Sequence, residues 1–273
     1  MSIIPTRLID ISSNERISGR SSNFSVRLPP IDSRYNRVSL VSASIPKTYY
    51  NVQSPYNTFY LMENLSSILV TVPEGNYSFY GLNGFDSMFQ NILRTNSFNA
   101  ISYTVKANTL LGKYEITSSS SSVVTQITFP PSSNLYKNLG CIYNSTIIFD
   151  ATTFFLSPHV CIFTINTILI NSTLVKSVSS LSVAANLLSQ INVNSSPSFS
   201  SITYINFEPI SISRECQVST EASFIITDSD GTELNLNSIP CDFTLLFFRF
   251  DDTNVLIRKN LYFEHANTLL NGQ

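Results

Sequence analysis

His159 and His265 are the only imidazoles in the chain, so acid–base or acyl-transfer chemistry near neutral pH would have to be built on them. His159 follows Pro158 at the head of an apolar stretch, and His265 lies near the C-terminal end. Neither has a Gly-x-Ser-x-Gly elbow or a cysteine setting that would supply a nucleophile. Cys141, Cys161, Cys216 and Cys241 are 20, 55 and 25 residues apart, without the close pairing of a zinc knuckle or a redox dithiol. Cys161 and Cys241 sit inside apolar runs and are expected as small buried core residues, with no disulfide. Asp228-Ser229-Asp230-Gly231-Thr232-Glu233 begins like a calcium loop but lacks the remaining ligand positions and the distal glutamate. It is read as a tight turn in which Asp side chains bond the backbone. Gly75-Asn76 and Gly81-Leu82-Asn83-Gly84 lack the Lys-Ser/Thr of a phosphate loop and are read as the start of a helix. No catalytic residue, cofactor site or metal site is expected, and the chain is not expected to be an enzyme.

What remains is a question of surface. Of 273 residues only 12% are charged, about half the usual share of roughly 25%. Serine (44) and asparagine (27) together make up about a quarter of the chain, while 43% is hydrophobic, enough to build a core. Hydroxyls and amides must therefore cover most of the exterior, which suits a protein packed against neighbours better than a free monomer kept soluble by charge. A net charge of −2 and a pI near 5.7 argue against a specific nucleic-acid binder. Residues 1–47 carry seven cations against Asp10, Glu15 and Asp32, a local +4, read mainly as solvated arginines flanking strands. No run approaches the length of a transmembrane helix, and the N-terminus lacks a signal peptide's apolar region. The sequons at Asn23, Asn64, Asn76, Asn144, Asn171 and Asn194 are accordingly read as unused.

The elements are mostly short strands punctuated by Pro, Asn, Gly and Ser. Phe24, Val26 and Leu28 alternate with polar residues up to Pro29-Pro30, and Arg37 to Ile45 runs to Pro46. Thr58–Leu61, Ser67–Val72, Ser102–Val105, Tyr114–Thr117 and Val123–Phe129 follow; the third and fourth form a hairpin around Leu111-Gly112-Lys113. In the second half Thr146–Phe149, Val160–Ile170, Ile202–Phe207, Ala222–Thr227 and Phe243–Phe250 read as strands, the last apolar on both faces. Helical spacing is expected at Asn83–Arg94, where Phe85, Met88, Phe89, Ile92 and Leu93 form one stripe. It is also expected at Ser182–Ile191 and, for one turn, at Asn134–Leu139 before Gly140. Ser118–Ser122 is read as a loop or exposed strand. The expected fold is all-β, a jelly-roll β-sandwich with short helices in the connections.

Several blocks, taken in order, resemble the penton or minor capsid proteins of virophages, polinton-like viruses and nucleocytoplasmic large DNA viruses. The first is Ser12-Ser13-Asn14-Glu15-Arg16, Ser22-Asn23-Phe24-Ser25-Val26, Arg37 to Ala43, then Ile45-Pro46-Lys47-Thr48-Tyr49-Tyr50-Asn51-Val52 and Asn57-Thr58-Phe59. The second is Val72-Pro73-Glu74-Gly75-Asn76-Tyr77-Ser78 leading into the helix; Leu135 to Gly140 is similar to a short Leu-x-x-x-Leu-Gly turn. The last runs from Leu188 through Ile202-Thr203-Tyr204 and Ile226 to Leu236, ending in the aromatic strand Phe243 to Phe250. Residues 118–133 and 143–180 match weakly.

The resemblance implies a single jelly roll carried in the virion and assembled in the host cell. Its partners would be its own copies in a homopentamer, the major capsid protein capsomers, and other minor capsid proteins. The expected function is a penton subunit at the icosahedral fivefold vertices. The alternatives are another minor capsid protein beneath or between capsomers, or a jelly-roll attachment module that binds glycans. The expected organisation is an N-terminal arm over residues 1–21, a jelly roll over 22–253 with a second small β subdomain or insertion within about 100–180, and a C-terminal tail over 254–273.

Overall fold

The computed structural model describes residues 6–161, 165–176, 186–193 and 200–250. The first segment of the chain holds β1 (Thr6–Ser12), β2 (Ser18–Gly19), β3 (Asn23–Arg27) and β4 (Arg37–Pro46). The middle holds β5 (Thr58–Glu63), β6 (Ser66–Thr71), helix α1 (Phe85–Thr95), β7 (Tyr103–Asn108), β8 (Lys113–Ser118), β9 (Thr125–Thr128), the single turn α2 (Leu135–Asn138), β10 (Thr146–Phe149) and β11 (Phe155–Leu156). The last segment holds β12 (Thr167–Ser172), β13 (Leu187–Asn192), β14 (Ser201–Ile205), β15 (Arg214–Glu215), β16 (Glu221–Asp228) and β17 (Asp242–Phe248). Contacts divide these into two compact units, residues 1–49 with 166–273, and residues 50–165.

The first unit is a jelly roll, by strand order. One sheet runs β1-β17-β4-β14, with β15 also on β4; the other runs β13-β12-β16-β3-β2. Setting aside the two-residue strands β2 and β15, the eight strands in chain order are β1, β3, β4, β12, β13, β14, β16 and β17. The sheets then read first-eighth-third-sixth and fifth-fourth-seventh-second, with every pairing antiparallel. That is the doubled Greek key of a jelly roll. The alternation seen in the sequence selects the inner faces. Phe24 and Val26 of β3 are 1% and 4% exposed, while Asn23 and Arg27 face out. Phe24 and Phe224 pair across β3 and β16 with ring centroids 5.4 Å apart. Phe243, from β17 in the opposite sheet, reaches them at 6.2 and 5.7 Å and so joins the two layers.

The second unit holds a four-stranded sheet, β10-β9-β5-β6, and a three-stranded sheet, β11-β8-β7. Its core gathers Phe59 and Leu61 of β5, Tyr103, Tyr114, Ile127 and Phe149 from the other strands, and one face of α1. The α1 stripe buries Phe85, Phe89 and Leu93 completely, with Met88 and Ile92 partly buried beside them. Asp86 in the first turn and Arg94 in the last complement the helix dipole. Phe85 stacks on Phe89 at 5.3 Å, and Phe89 meets Phe59 at 5.2 Å. Gly140, after α2, has φ +64° and lies so close to the His159 carbonyl that a Cβ would fall 2.2 Å from its oxygen. Both facts require glycine there.

The structure departs from the sequence expectations in four places. The helix expected at Ser182–Ile191 is instead strand β13 over Leu187–Asn192, and residues 182–185 lie outside the described residues. The register with β12 slips between Ile170 and Asn171, so Leu188 is an extra residue and both Leu188 and Ser189 are buried. That bulge breaks the period-two pattern and leaves an apolar spacing that mimics a helix. The strand expected from Val160 begins only at Thr167, and residues 162–164 lie outside the described residues. Residues 1–21, expected as an arm, contain β1, which pairs with β17 from Thr6↔Phe248 to Ser12↔Asp242. The inserted unit spans residues 50–165 rather than part of 100–180. The 254–273 tail lies outside the described residues.

Candidate functional site

The residues flagged for chemistry are scattered. His159 is exposed in a loop, where its backbone N–H donates to the Gly140 carbonyl at 2.9 Å. His265 lies outside the described residues. All four cysteines are free; Cys141, Cys216 and Cys241 are buried and Cys161 is half-buried. Burial pushes the thiols of Cys141, Cys161 and Cys216 up to about 11 and that of Cys241 up to about 12, so none is a thiolate nucleophile at neutral pH. Asp228 Oδ1 accepts from the backbone N–H groups of Asp230 and Thr232 at 2.9 and 2.8 Å, and Gly231 has φ +83°. Glu233 is drawn away, accepting from Ser22 Oγ at 2.8 Å and Asn23 Nδ2 at 3.2 Å. The Asp228 carboxylate thus serves a turn. Among the described residues no group of three or more His, Cys, Asp or Glu is placed to hold a metal ion, and no helix is long and apolar enough to cross a membrane.

Two blocks that carry the family resemblance meet in the second unit. Asn51 donates from Nδ2 to the Tyr77 carbonyl at 2.7 Å and accepts at Oδ1 from the Tyr77 N–H at 3.0 Å. The backbones of Val52 and Gly75 exchange two hydrogen bonds, of 3.1 and 3.0 Å. Asn57, 3% exposed, donates from Nδ2 to the Val72 carbonyl at 2.6 Å. The Tyr-Asn-Val and Pro-Glu-Gly-Asn-Tyr segments, whose Asn51 and Tyr77 are 26 positions apart, thus form one clasp that sets the chain's approach to α1.

A residue absent from the sequence reading, Glu63, is 1% exposed at the end of β5. Its Oε1 accepts from the Tyr103 hydroxyl at 2.6 Å, and its Oε2 accepts from the Asn99 backbone N–H and side-chain amide, each at 3.0 Å. Burial pushes this carboxyl upward, but donors from Tyr103, Ser97 and Asn99 together outweigh it and hold the group below the ordinary glutamate range. Its sequence signal was position: Phe59, Leu61 and Glu63 are spaced by two on one inward face.

The outward face of the same sheet is the feature that bears on function. Register places Ile148, Gln126, Met62 and Ser67 in one row across β10, β9, β5 and β6. Thr146, Thr128, Tyr60 and Leu69 form the adjacent row. Thr58 and Thr71 extend it. None of these side chains is charged. Ile148 and Leu69 are about half exposed, at 52% and 51%, and Tyr60 is 39% exposed. A solvent-facing antiparallel sheet ordinarily alternates apolar-in with charged or polar-out; this one keeps an apolar and hydroxyl exterior. Charge depletion around exposed aromatic and aliphatic groups is the composition of a protein interface core.

No protein-family model and no curated protein matches the sequence. Among solved structures, the chain is similar to the crystal structure of the selenomethionine-labelled mavirus penton protein, with 10% identity, 91% of this chain and 100% of that chain covered, and a TM-score of 0.42.

Proposed function

We propose that this chain is a structural virion protein, a penton subunit that forms a homopentamer at the icosahedral fivefold vertices and contacts the surrounding major capsid protein capsomers. A jelly roll alone is shared by capsid, lectin and other domains, so the fold does not decide between them. The observation that carries the reading is the uncharged outward face of β10-β9-β5-β6. Its burial strips no ion of water, so association there avoids the desolvation cost that a charged face would incur. A subunit enclosed on several sides also explains a chain with only 12% charged residues. Closed rings use heterologous contacts, in which one patch meets a different patch on the neighbour. The ordered sequence blocks that resemble capsid proteins support the same reading. Catalysis plays no part in it.

The test is to place charge in the middle of the face. Tyr60 and Leu69 are directly opposed across β5 and β6. Tyr60→Lys combined with Leu69→Lys should leave the far-ultraviolet dichroism unchanged and shift the native mass from a ring to the single chain. A wild-type protein that stays a single chain at every concentration and never joins capsid shells would defeat the proposal, as would a double variant that associates like the wild type.

A further inference from the structure

Two strands, one in each compact unit, end their sheets with backbone groups left open. β6 is the last strand of β10-β9-β5-β6, and β14 is the last strand of β1-β17-β4-β14. The Val72 N–H donates to the Asn57 carbonyl at 2.8 Å. Bonded pairs alternate along an antiparallel ladder, so Ser66, Ile68 and Val70 turn their backbone groups to β5. Ser67, Leu69 and Thr71 turn theirs to the open side. In β14 the bracketing bonds are Lys47 N–H to the Ser200 carbonyl and Asn206 N–H to the Val41 carbonyl, each 2.7 Å. The backbone groups of Ser201, Thr203 and Ile205 therefore face away from β4. Among the described residues, no hydrogen bond reaches the backbone of these six residues on that side.

Sheet edges are ordinarily blunted by charge, proline, a bulge or a covering element. The other edges here follow that rule. β1 carries Arg7 and Asp10, and β13 is bulged against β12. β7 carries Lys106 and lies under α1, whose Gln90 Oε1 accepts from the Val105 N–H at 3.1 Å and whose Arg94 Nε donates to the Tyr103 carbonyl at 2.8 Å. Just past β10, the Asp150 carbonyl accepts from the Ser118 N–H at 3.4 Å. β6 (Ser-Ser-Ile-Leu-Val-Thr) and β14 (Ser-Ile-Thr-Tyr-Ile) have no charge, no proline and no slip in register.

We infer that β6 of one copy pairs antiparallel with β14 of the next copy, a contact that rests on the closed ring proposed above. Repeated open N–H and C=O groups along a strand are matched by another extended strand. A ring joins two different patches, and these are two different edges. Their faces also agree. The side chains of all six open-side residues project to solvent, whereas Val70 and Ile202 point inward and are 2% and 4% exposed. Residues directly opposed across a ladder share a face. Pairing through the open groups therefore sets exposed side chains beside exposed ones and keeps the inward residues on the inner side. It also covers part of Leu69 and Ile205, now 51% and 55% exposed. Ser67, Leu69 and Thr71 belong to the uncharged outward face as well, so the strand contact continues the surface already assigned to the neighbour.

Hydrogen–deuterium exchange tests this by comparing the assembled protein with the same protein diluted to the single chain. Peptides covering residues 64–72 and 200–206 should exchange at least ~10-fold more slowly in the ring. Exchange in the central strands β5 and β17 should be the same in both. Leu69→Pro removes an N–H that faces the open side and leaves the bonds to β5 in place. It should abolish the protection of residues 200–206 while β5 exchanges as before. Thr203→Pro should do the same to residues 64–72 while β4 exchanges as before. A ring in which either peptide exchanges as it does in the single chain overturns this inference and leaves the oligomer standing. Protection of residues 200–206 that survives Leu69→Pro also overturns it. A protein that stays a single chain at every concentration defeats the ring, and this contact with it.

Discussion

Phe243→Ala is expected to destabilise the jelly-roll unit by about 3–5 kcal/mol, the range for removing a large aromatic from a packed core. Phe243 is 2% exposed and is the ring through which β17 meets the Phe24–Phe224 pair of the opposite sheet. Truncation removes buried apolar area and both ring contacts, and it leaves a void bounded by two strands held in register by their neighbours. A sandwich layer cannot collapse onto such a void without breaking its ladders, so relaxation recovers little. Hydrogen exchange should show the loss in the amides of β3, β16 and β17. Phe243→Leu, which keeps most of the volume, should recover more than half of it. A Phe243→Ala protein with wild-type protection in those strands would show that the sheets are held together elsewhere.

Glu63→Ala is expected to cost the inserted unit ~3 kcal/mol, because the Tyr103 hydroxyl and two Asn99 N–H donors lose an ionised acceptor in a buried place. Glu63→Gln should cost less, since the amide oxygen still accepts while its NH2 opposes one of the donors. The pH dependence has a definite sign. The folded carboxyl sits below its unfolded value, so Glu63 contributes stability that is present above the ordinary carboxylate range. That contribution is lost as pH falls through the depressed folded value. Wild-type stability should therefore drop on acidification below about pH 4.5, and Glu63→Gln should flatten that part of the curve. Equal slopes for the two proteins would remove Glu63 from the account.

The parts of the fold visible in the sequence are those set within a single window. The stripe of Phe85, Phe89 and Leu93 is one helix face, and Phe24 with Val26 is one strand face, so local periodicity alone places them. The two-sided apolar run of β17 likewise marked a strand buried on both faces, and Leu245, Phe247 and Phe248 are fully buried. What was hidden depends on pairing. The bulge at Leu188 disguised β13 because a bulge is a property of two strands and not of one. β1 was hidden because Leu8 and Ile9 are both apolar, and only its register with β17 assigns Ile9 inward and Leu8 outward. The boundary at Tyr50 was illegible for a different reason: short strands with similar composition lie on both sides of it. The uncharged face draws on residues from Thr58 to Ile148, and no window shows that their charges are missing from the same side. Glu63 was legible in principle, as a carboxylate two positions past Leu61 on an inward face.

The central proposal is that the β10-β9-β5-β6 face is buried between subunits in a virion. The most direct measurement is a density map of the virion that contains this chain, with the jelly roll and the inserted unit fitted separately. The account predicts five copies around each fivefold vertex, with the β10-β9-β5-β6 face covered by an adjacent chain. Fivefold vertices built from some other protein, or that face left bare to solvent in the particle, would contradict it.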